Sequence, residues 1–286
     1  MFTGLSAFPL TPVTGDSLDT AAYERLVARL ADAGVDSIGA LGSTGASPYL
    51  TRQQRAEAAK IAVDAAAGTP VLAGIGALAT RDVLALAEDA QNAGVAAVLL
   101  APLSYQVLDD DEVYALYEEV TRELSVPLCV YDNPRTTHFR FSDELHGRIA
   151  CLPGVASIKI PGVPADPAEA TARIDRLRAL IPDTVTIGVS GDALAATGLA
   201  AGCDAWYSAV AGLFPHIAQA IMRDPGESER LQPLWDVFAR YGTIRVLAAA
   251  ATRAGLTGNR VLPRPLRELD GDTLREVTAT LAALGL

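Results

Sequence analysis

Apolar residues along this chain alternate between two patterns. Short, nearly continuous apolar runs recur at 5–8, 37–41, 71–75, 97–101, 128–131, 155–160, 185–189 and 205–208. Runs of this kind, bounded by glycine, proline or polar turn residues, predict strands buried on both faces of a parallel sheet. Between them apolar positions repeat every three to four residues, the spacing of amphipathic helices. Helix start signals stand at Ser17 and Asp19, at Thr51, at Thr80, and at Ser142 with Asp143.

The pairs Ala33-Gly34, Ala93-Gly94 and Ala201-Gly202 each end a helical stretch just before an apolar run. A glycine beyond the last turn takes the left-handed conformation that stops a helix, so each copy reads as one αβ unit. Eight strands alternating with helices predict an α/β fold, a (β/α)8 TIM barrel rather than an open doubly wound sheet. No Gly-rich dinucleotide fingerprint follows the first strand, which weakens the doubly wound alternative further. Past residue 223 the strands cease, and 227–241, 243–255 and 271–284 read as helices. The expected division is a catalytic barrel over 1–223 and a C-terminal helical extension over 224–286, with no low-complexity linker between them.

With 286 residues, half of them hydrophobic, the chain can bury a large core. A formal net charge of −11 argues against nucleic acid or an anionic membrane surface as partner, since both demand a cationic footprint. Small molecules are the expected ligands. The three cysteines, Cys129, Cys151 and Cys203, are scattered in apolar sequence and read as reduced core thiols of a cytoplasmic protein. The start lacks a basic, then apolar leader, and no stretch reaches membrane-spanning length without a charge or helix breaker. His138, His146 and His216 are far apart and form no metal-binding spacing, so no metal and no cofactor are expected.

Of 23 cationic side chains, 21 are arginines and only two are lysines. Lys60 lies on a polar helical face and reads as solvent decoration. Lys159 lies within the apolar run Val155-Ala156-Ser157-Ile158-Lys159-Ile160. Arginine stays protonated, whereas a desolvated lysine can lose its proton and attack a carbonyl carbon. Lys159 is therefore a candidate Schiff-base residue, the alternative being a strand-end lysine whose stem reaches out to water.

Reacting groups of such barrels project from the C-terminal ends of strands. Tyr131 ends the strand before that of Lys159 and is followed by the turn Asp132-Asn133-Pro134, which makes it a candidate proton relay or else an amphipathic plug of the barrel mouth. The second strand empties into Gly42-Ser43-Thr44-Gly45, a turn that can aim N–H groups and hydroxyls at a carboxylate, although many such clusters are only turns. Gly188-Val189-Ser190-Gly191-Asp192 is a second Gly-rich turn, where Asp192 also reads as a helix cap.

The motifs Gly42-Ser43-Thr44-Gly45, Tyr131-Asp132-Asn133-Pro134 and Ile158-Lys159, in this order and spacing, resemble those of the dihydrodipicolinate synthase / N-acetylneuraminate lyase family of Schiff-base-forming lyases. The resemblance runs over nearly the whole chain. It implies a class I aldolase in which Lys159 condenses with pyruvate or a related 2-oxo acid and Tyr131 relays protons. Ser43, Thr44 and Gly45 would hold the carboxylate, with Thr44 in the tyrosine's hydrogen-bond chain. Tyr105 would match a tyrosine that relatives insert into a neighbouring subunit's site, and the assembly would be a homo-oligomer, a dimer of dimers. Thr136, Gly191 and Tyr207 complete the expected substrate-binding set.

Two departures bear on the second substrate. Dihydrodipicolinate synthases typically carry an arginine two residues past the turn proline, where this chain has Thr136, with Arg135 one residue earlier. Ala46 stands where a glutamate is usual. Both leave the imine chemistry intact and point away from aspartate semialdehyde. The alternatives carried are a 2-keto-3-deoxy sugar acid aldolase or dehydratase, and a non-catalytic barrel that binds 2-oxo acids.

Overall fold

The computed structural model describes residues 1–286. In it the eight apolar runs form β1 (Gly4–Ala7), β2 (Ser37–Ala40), β3 (Val71–Gly74), β4 (Ala97–Leu100), β5 (Leu128–Tyr131), β6 (Val155–Ile160), β7 (Thr186–Val189) and β8 (Ala205–Ser208). Each pairs in parallel with its successor, and β8 pairs with β1, closing a (β/α)8 barrel with no free edge. Helices α1 (Thr20–Asp32), α2 (Arg52–Ala65), α3 (Thr80–Ala93), α4 (Asp110–Arg122), α5 (Asp143–Ala150), α6 (Pro167–Arg178), α7 (Ala195–Ala200) and α8 (Pro215–Arg223) make the returns.

Local signals place these boundaries. Asp19 caps α1 through Ala22 N, Thr51 and Gln54 form a capping box on α2, and Ser142 caps α5 through Leu145 N. Thr80 is instead the first residue of α3, and Ala79 before it offers no side-chain cap. Gly34, Gly94 and Gly202 have φ of +71°, +89° and +102°, the left-handed stop expected of them.

Strand alternation divides the apolar residues between two cores. Ile38, Val98, Val130, Ile158 and Ile187 face the helices in the large outer core. Phe8, Leu72, Ala97, Leu99, Cys129, Tyr131, Ala205 and Tyr207 fill the barrel interior. Large interior rings need bare neighbours: a Cβ on Gly188 would meet the Tyr207 ring at 2.1 Å, and one on Gly39 would meet the Phe8 ring at 2.3 Å. A register shift turns β6. Leu128 pairs with Val155 but Cys129 pairs with Ser157, leaving Ala156 as the extra residue of a bulge. Val155 thus faces the helices, while Ser157 and Lys159 turn into the barrel.

After α8 come a single helical turn, Glu227–Arg230, and helices α9 (Gln232–Tyr241), α10 (Thr243–Arg253) and α11 (Gly271–Ala283). The sequence pattern predicts one helix over 227–241. Pro233, without an amide hydrogen, suits a helix start and not an interior, and α9 begins afresh there. No helix is long and apolar enough to cross a membrane. Cys129 and Cys203 are buried, but Cys151, expected in the core, is exposed, because it is the residue on which α5 ends.

Candidate active site

Lys159 is 4 % exposed, and its Nζ lies inside the barrel among three aromatic rings. It is 3.8 Å from the centre of the Phe8 ring, 4.3 Å from that of Tyr131 and 5.6 Å from that of Tyr207. It forms no ion pair. Lys60, by contrast, is exposed and pairs with Asp64 one helical turn on.

The floor beneath Lys159 is polar but uncharged. The Tyr207 hydroxyl and Ser157 Oγ share a hydrogen bond of 2.6 Å, Thr186 Oγ1 donates to Ser157 Oγ at 2.8 Å, and the Cys129 thiol reaches Tyr207 at 3.6 Å. Burial pushes the Cys129 thiol up to about 11 and the Tyr207 phenol well above its ordinary range, so both stay neutral near pH 7. Tyr207 is thus buried inside the barrel with its hydroxyl turned to Ser157 and Cys129.

Tyr131 is the register partner of Lys159 across β5 and β6. Its hydroxyl shares a 3.1 Å hydrogen bond with Ser43 Oγ and accepts one of 2.9 Å from Asn133 Nδ2, which also donates to Ser43 Oγ at 3.1 Å. An amide N–H can only donate, so Asn133 aims positive charge at the phenol oxygen and leaves its hydrogen free for Ser43 or for a bound molecule. Sequence reasoning did not single out Asn133. Its signal was the turn Asp132-Asn133-Pro134, where a polar residue two after Tyr131 can reach back to it.

The other expected site residues are spread more widely. Thr44 is half-buried next to Ser43 and makes no side-chain hydrogen bond to Tyr131. Gly45 is buried where a Cβ would meet Thr11 Oγ1 at 2.8 Å. Gly191 has φ +87° and packs by Gly162, which brings the β6 and β7 exits together. The Asp192 carboxylate, buried next to it, accepts from Trp206 Nε1 at 3.1 Å, Ser208 Oγ at 2.9 Å and Val210 N at 2.8 Å, tying the β7 exit to that of β8. Tyr105 is 90 % exposed and reaches no part of this site within its own chain.

A cavity of about 420 Å³ opens on the far side of the Tyr131–Ser43 pair, lined among others by Ser47, Arg55, Leu103, Ser104 and the exposed Thr136. Lys159 does not line it. Its one cation, Arg55, is turned away to the carbonyls of Gly74 and Gly76 at 2.9 and 3.0 Å, and burial lowers its guanidinium to about 10.

Comparison with known proteins finds relatives over most of the chain. The model of the dihydrodipicolinate synthetase family matches residues 1–284. An uncharacterized DapA-like lyase of Halobacterium salinarum is 32% identical over 289 residues, 95% of this chain and 90% of the relative. A 4-hydroxy-tetrahydrodipicolinate synthase of Methylococcus capsulatus is 32% identical over 218 residues, 74% of this chain and 72% of the relative. The crystal structure of dihydrodipicolinate synthase from Agrobacterium tumefaciens superposes with a TM-score of 0.93 at 44% identity, covering 99% of this chain and 98% of that one. The chain belongs to the dihydrodipicolinate synthetase family of lyases.

Proposed function

We propose that Lys159 is the amine of a class I aldolase that acts on pyruvate or a related 2-oxo acid. The observation that carries this reading is the buried Lys159 Nζ, free of any ion pair, 4.3 Å from the ring of its register partner Tyr131. The amine adds to C2 of the 2-oxo acid, forming a C–N bond, and the carbinolamine hydroxyl leaves as water. Tyr131 supplies the proton that this leaving group needs, and Ser43 and Asn133 support the charge left on the phenol oxygen. The resulting iminium is an electron sink. Loss of a proton from C3 gives an enamine, which adds to an aldehyde carbon; hydrolysis then frees the product and Lys159. The same steps in reverse cleave a C3–C4 bond. Ser43, Thr44 and Gly45 orient the carboxylate, so that attack is close to intramolecular.

For the second substrate, hydroxyls outnumber free cations near Tyr131. Thr136, Ser47 and Ser104 line the cavity there and Arg55 is engaged by carbonyls. This favours a hydroxylated aldehyde, or a 2-keto-3-deoxy sugar acid in the cleavage direction, as the second reading beside a dihydrodipicolinate synthase-like condensation. Gly191 and Tyr207 belong to the walls of the site. Tyr105, standing out beside the 98 % exposed Val107, is proposed to complete the site of a second copy in a homo-oligomer, which Tyr105→Phe and a solution mass measurement test together. Buried free thiols at Cys129 and Cys203 fit a cytoplasmic location.

The test needs no knowledge of the aldehyde. In deuterated water the enzyme is expected to exchange the C3 hydrogens of pyruvate, followed by NMR, and Lys159→Ala is expected to abolish exchange. Exchange that survives in Lys159→Ala contradicts the reading.

A further inference from the structure

We propose that Asp132 and His146 form a buried, proton-sharing pair that positions Asn133, and through it the hydroxyl of Tyr131. The inference rests on the reading of Tyr131 as the proton relay beside Lys159.

Asp132 continues β5, its backbone N–H donating to the Lys159 carbonyl at 3.0 Å. Alternation turns Tyr131 into the barrel, so the Asp132 side chain points outward beneath α5. There it is 6 % exposed, with Oδ2 3.6 Å from Nε2 of His146, which is fully buried. The imidazole is held flat against Phe141, ring centres 4.8 Å apart and planes 3° from parallel. Asp132 Oδ1 and both ring nitrogens have no hydrogen-bond partner. A separation of 3.6 Å is contact and not yet a hydrogen bond. Closing it by a few tenths of an ångström gives one of the three orphaned groups, His146 Nε2, its partner.

The surrounding charges decide which form closes. Arg173 on α6 forms an ion pair with Asp143 at the start of α5, 2.7 Å away, and Arg140 is exposed. Both draw Asp132 towards its anion, Asp143 opposes them, and the Tyr117 hydroxyl on α4 is committed to the Leu100 carbonyl at 2.6 Å. Burial outweighs these, raising Asp132 to about 7 and lowering His146 to about 3. The imidazole is thus neutral and an acceptor, and below neutrality Asp132 carries the proton that can bridge to it once the gap closes. That proton comes from solvent and returns there; no bond to substrate is involved.

The next residue is Asn133, whose amide holds Tyr131 and Ser43. Two consecutive side chains of one turn therefore face opposite ways, Asp132 anchored to α5 and Asn133 anchored to the phenol. When Asp132 ionises, its anchor changes from the imidazole to the field of Arg173 and Arg140, and the turn carrying Asn133 shifts with it. Asp132 and His146 are positioning residues, since neither touches the reacting atoms.

The experiment measures pyruvate C3 exchange between about pH 5.5 and 9 for wild type, Asp132→Asn and His146→Phe. The asparagine amide can donate to the imidazole as the carboxylic acid does, but cannot titrate. Expected are a wild-type ionisation near neutrality that Asp132→Asn lacks, and a kcat reduced roughly ten- to a hundredfold in His146→Phe with KM for pyruvate little changed. Superimposable wild-type and Asp132→Asn profiles overturn the proposal. If His146→Phe does not fold, the Asp132→Asn comparison decides alone. If the wild type shows no exchange at all, it is the reading of Lys159 that fails. The pair is then judged by infrared spectroscopy, where a carboxylic acid C=O band near neutral pH that disappears in Asp132→Asn supports the shared proton, and its absence from wild type refutes it.

Discussion

Tyr131 and Lys159 are paired residue for residue across β5 and β6, with the lysine nitrogen over the tyrosine ring at 4.3 Å. Register partners on adjacent parallel strands point the same way, so the barrel ladder itself holds the two groups together and no loop has to close to assemble them. Removing the hydroxyl should therefore leave the fold intact and disable the relay. Tyr131→Phe is expected to slow pyruvate C3 exchange by roughly a hundred- to ten-thousandfold, with an unchanged circular dichroism spectrum. A variant of near wild-type rate would remove Tyr131 from the chemistry.

Gly188 sits beside Lys159 in the β6–β7 register and leaves the space that the Tyr207 ring occupies. Gly188→Ala forces a methyl to 2.1 Å from that ring. Overpacking of this kind costs about 1–3 kcal/mol and, here, moves Tyr207 against the lysine. Thermal melting and the exchange rate should both fall. An unaltered melting temperature would mean that the ring has somewhere else to go.

Stability against pH provides a separate check on Asp132 and His146. The folded Asp132 carboxyl, raised from 3.8 to about 7, binds its proton more tightly than in the unfolded chain, so its stabilising contribution is present at low pH and lost as pH rises through that interval. His146, lowered from 6.5 to about 3, does the opposite: stability is lost as pH falls through its interval. Between about pH 4 and 6.5 the two slopes oppose each other in wild type. Asp132→Asn leaves only the histidine slope, so its denaturation free energy should climb across that range and exceed that of wild type above pH 7. Parallel curves for the two proteins would contradict the assignment.

Much of this architecture is legible in the chain because its causes are local. Apolar runs mark all eight barrel strands, and Gly34, Gly94 and Gly202 mark helix ends, since burial on both faces and a left-handed stop each need particular residues in place. Lys159 stands out because it is one of only two lysines and lies between Ile158 and Ile160 in an apolar run. The bulge at Ala156 was not legible, because it depends on how β5 and β6 slide together. Nor were the contacts of Asn133 and Asp132, which are settled by which way each side chain of the turn faces and by what α5 brings against it. Tyr207 illustrates the same limit: its place in the substrate-binding set does not reveal that the alternation of β8 turns its ring into the barrel, 5.6 Å from Lys159 Nζ.

Borohydride reduction in the presence of pyruvate, followed by intact mass and peptide mapping, addresses the central claim most directly. The account predicts one reduced carboxyethyl group per chain, carried by Lys159 and absent from Lys159→Ala. A wild-type protein that gains no mass, or gains it at Lys60, would contradict it.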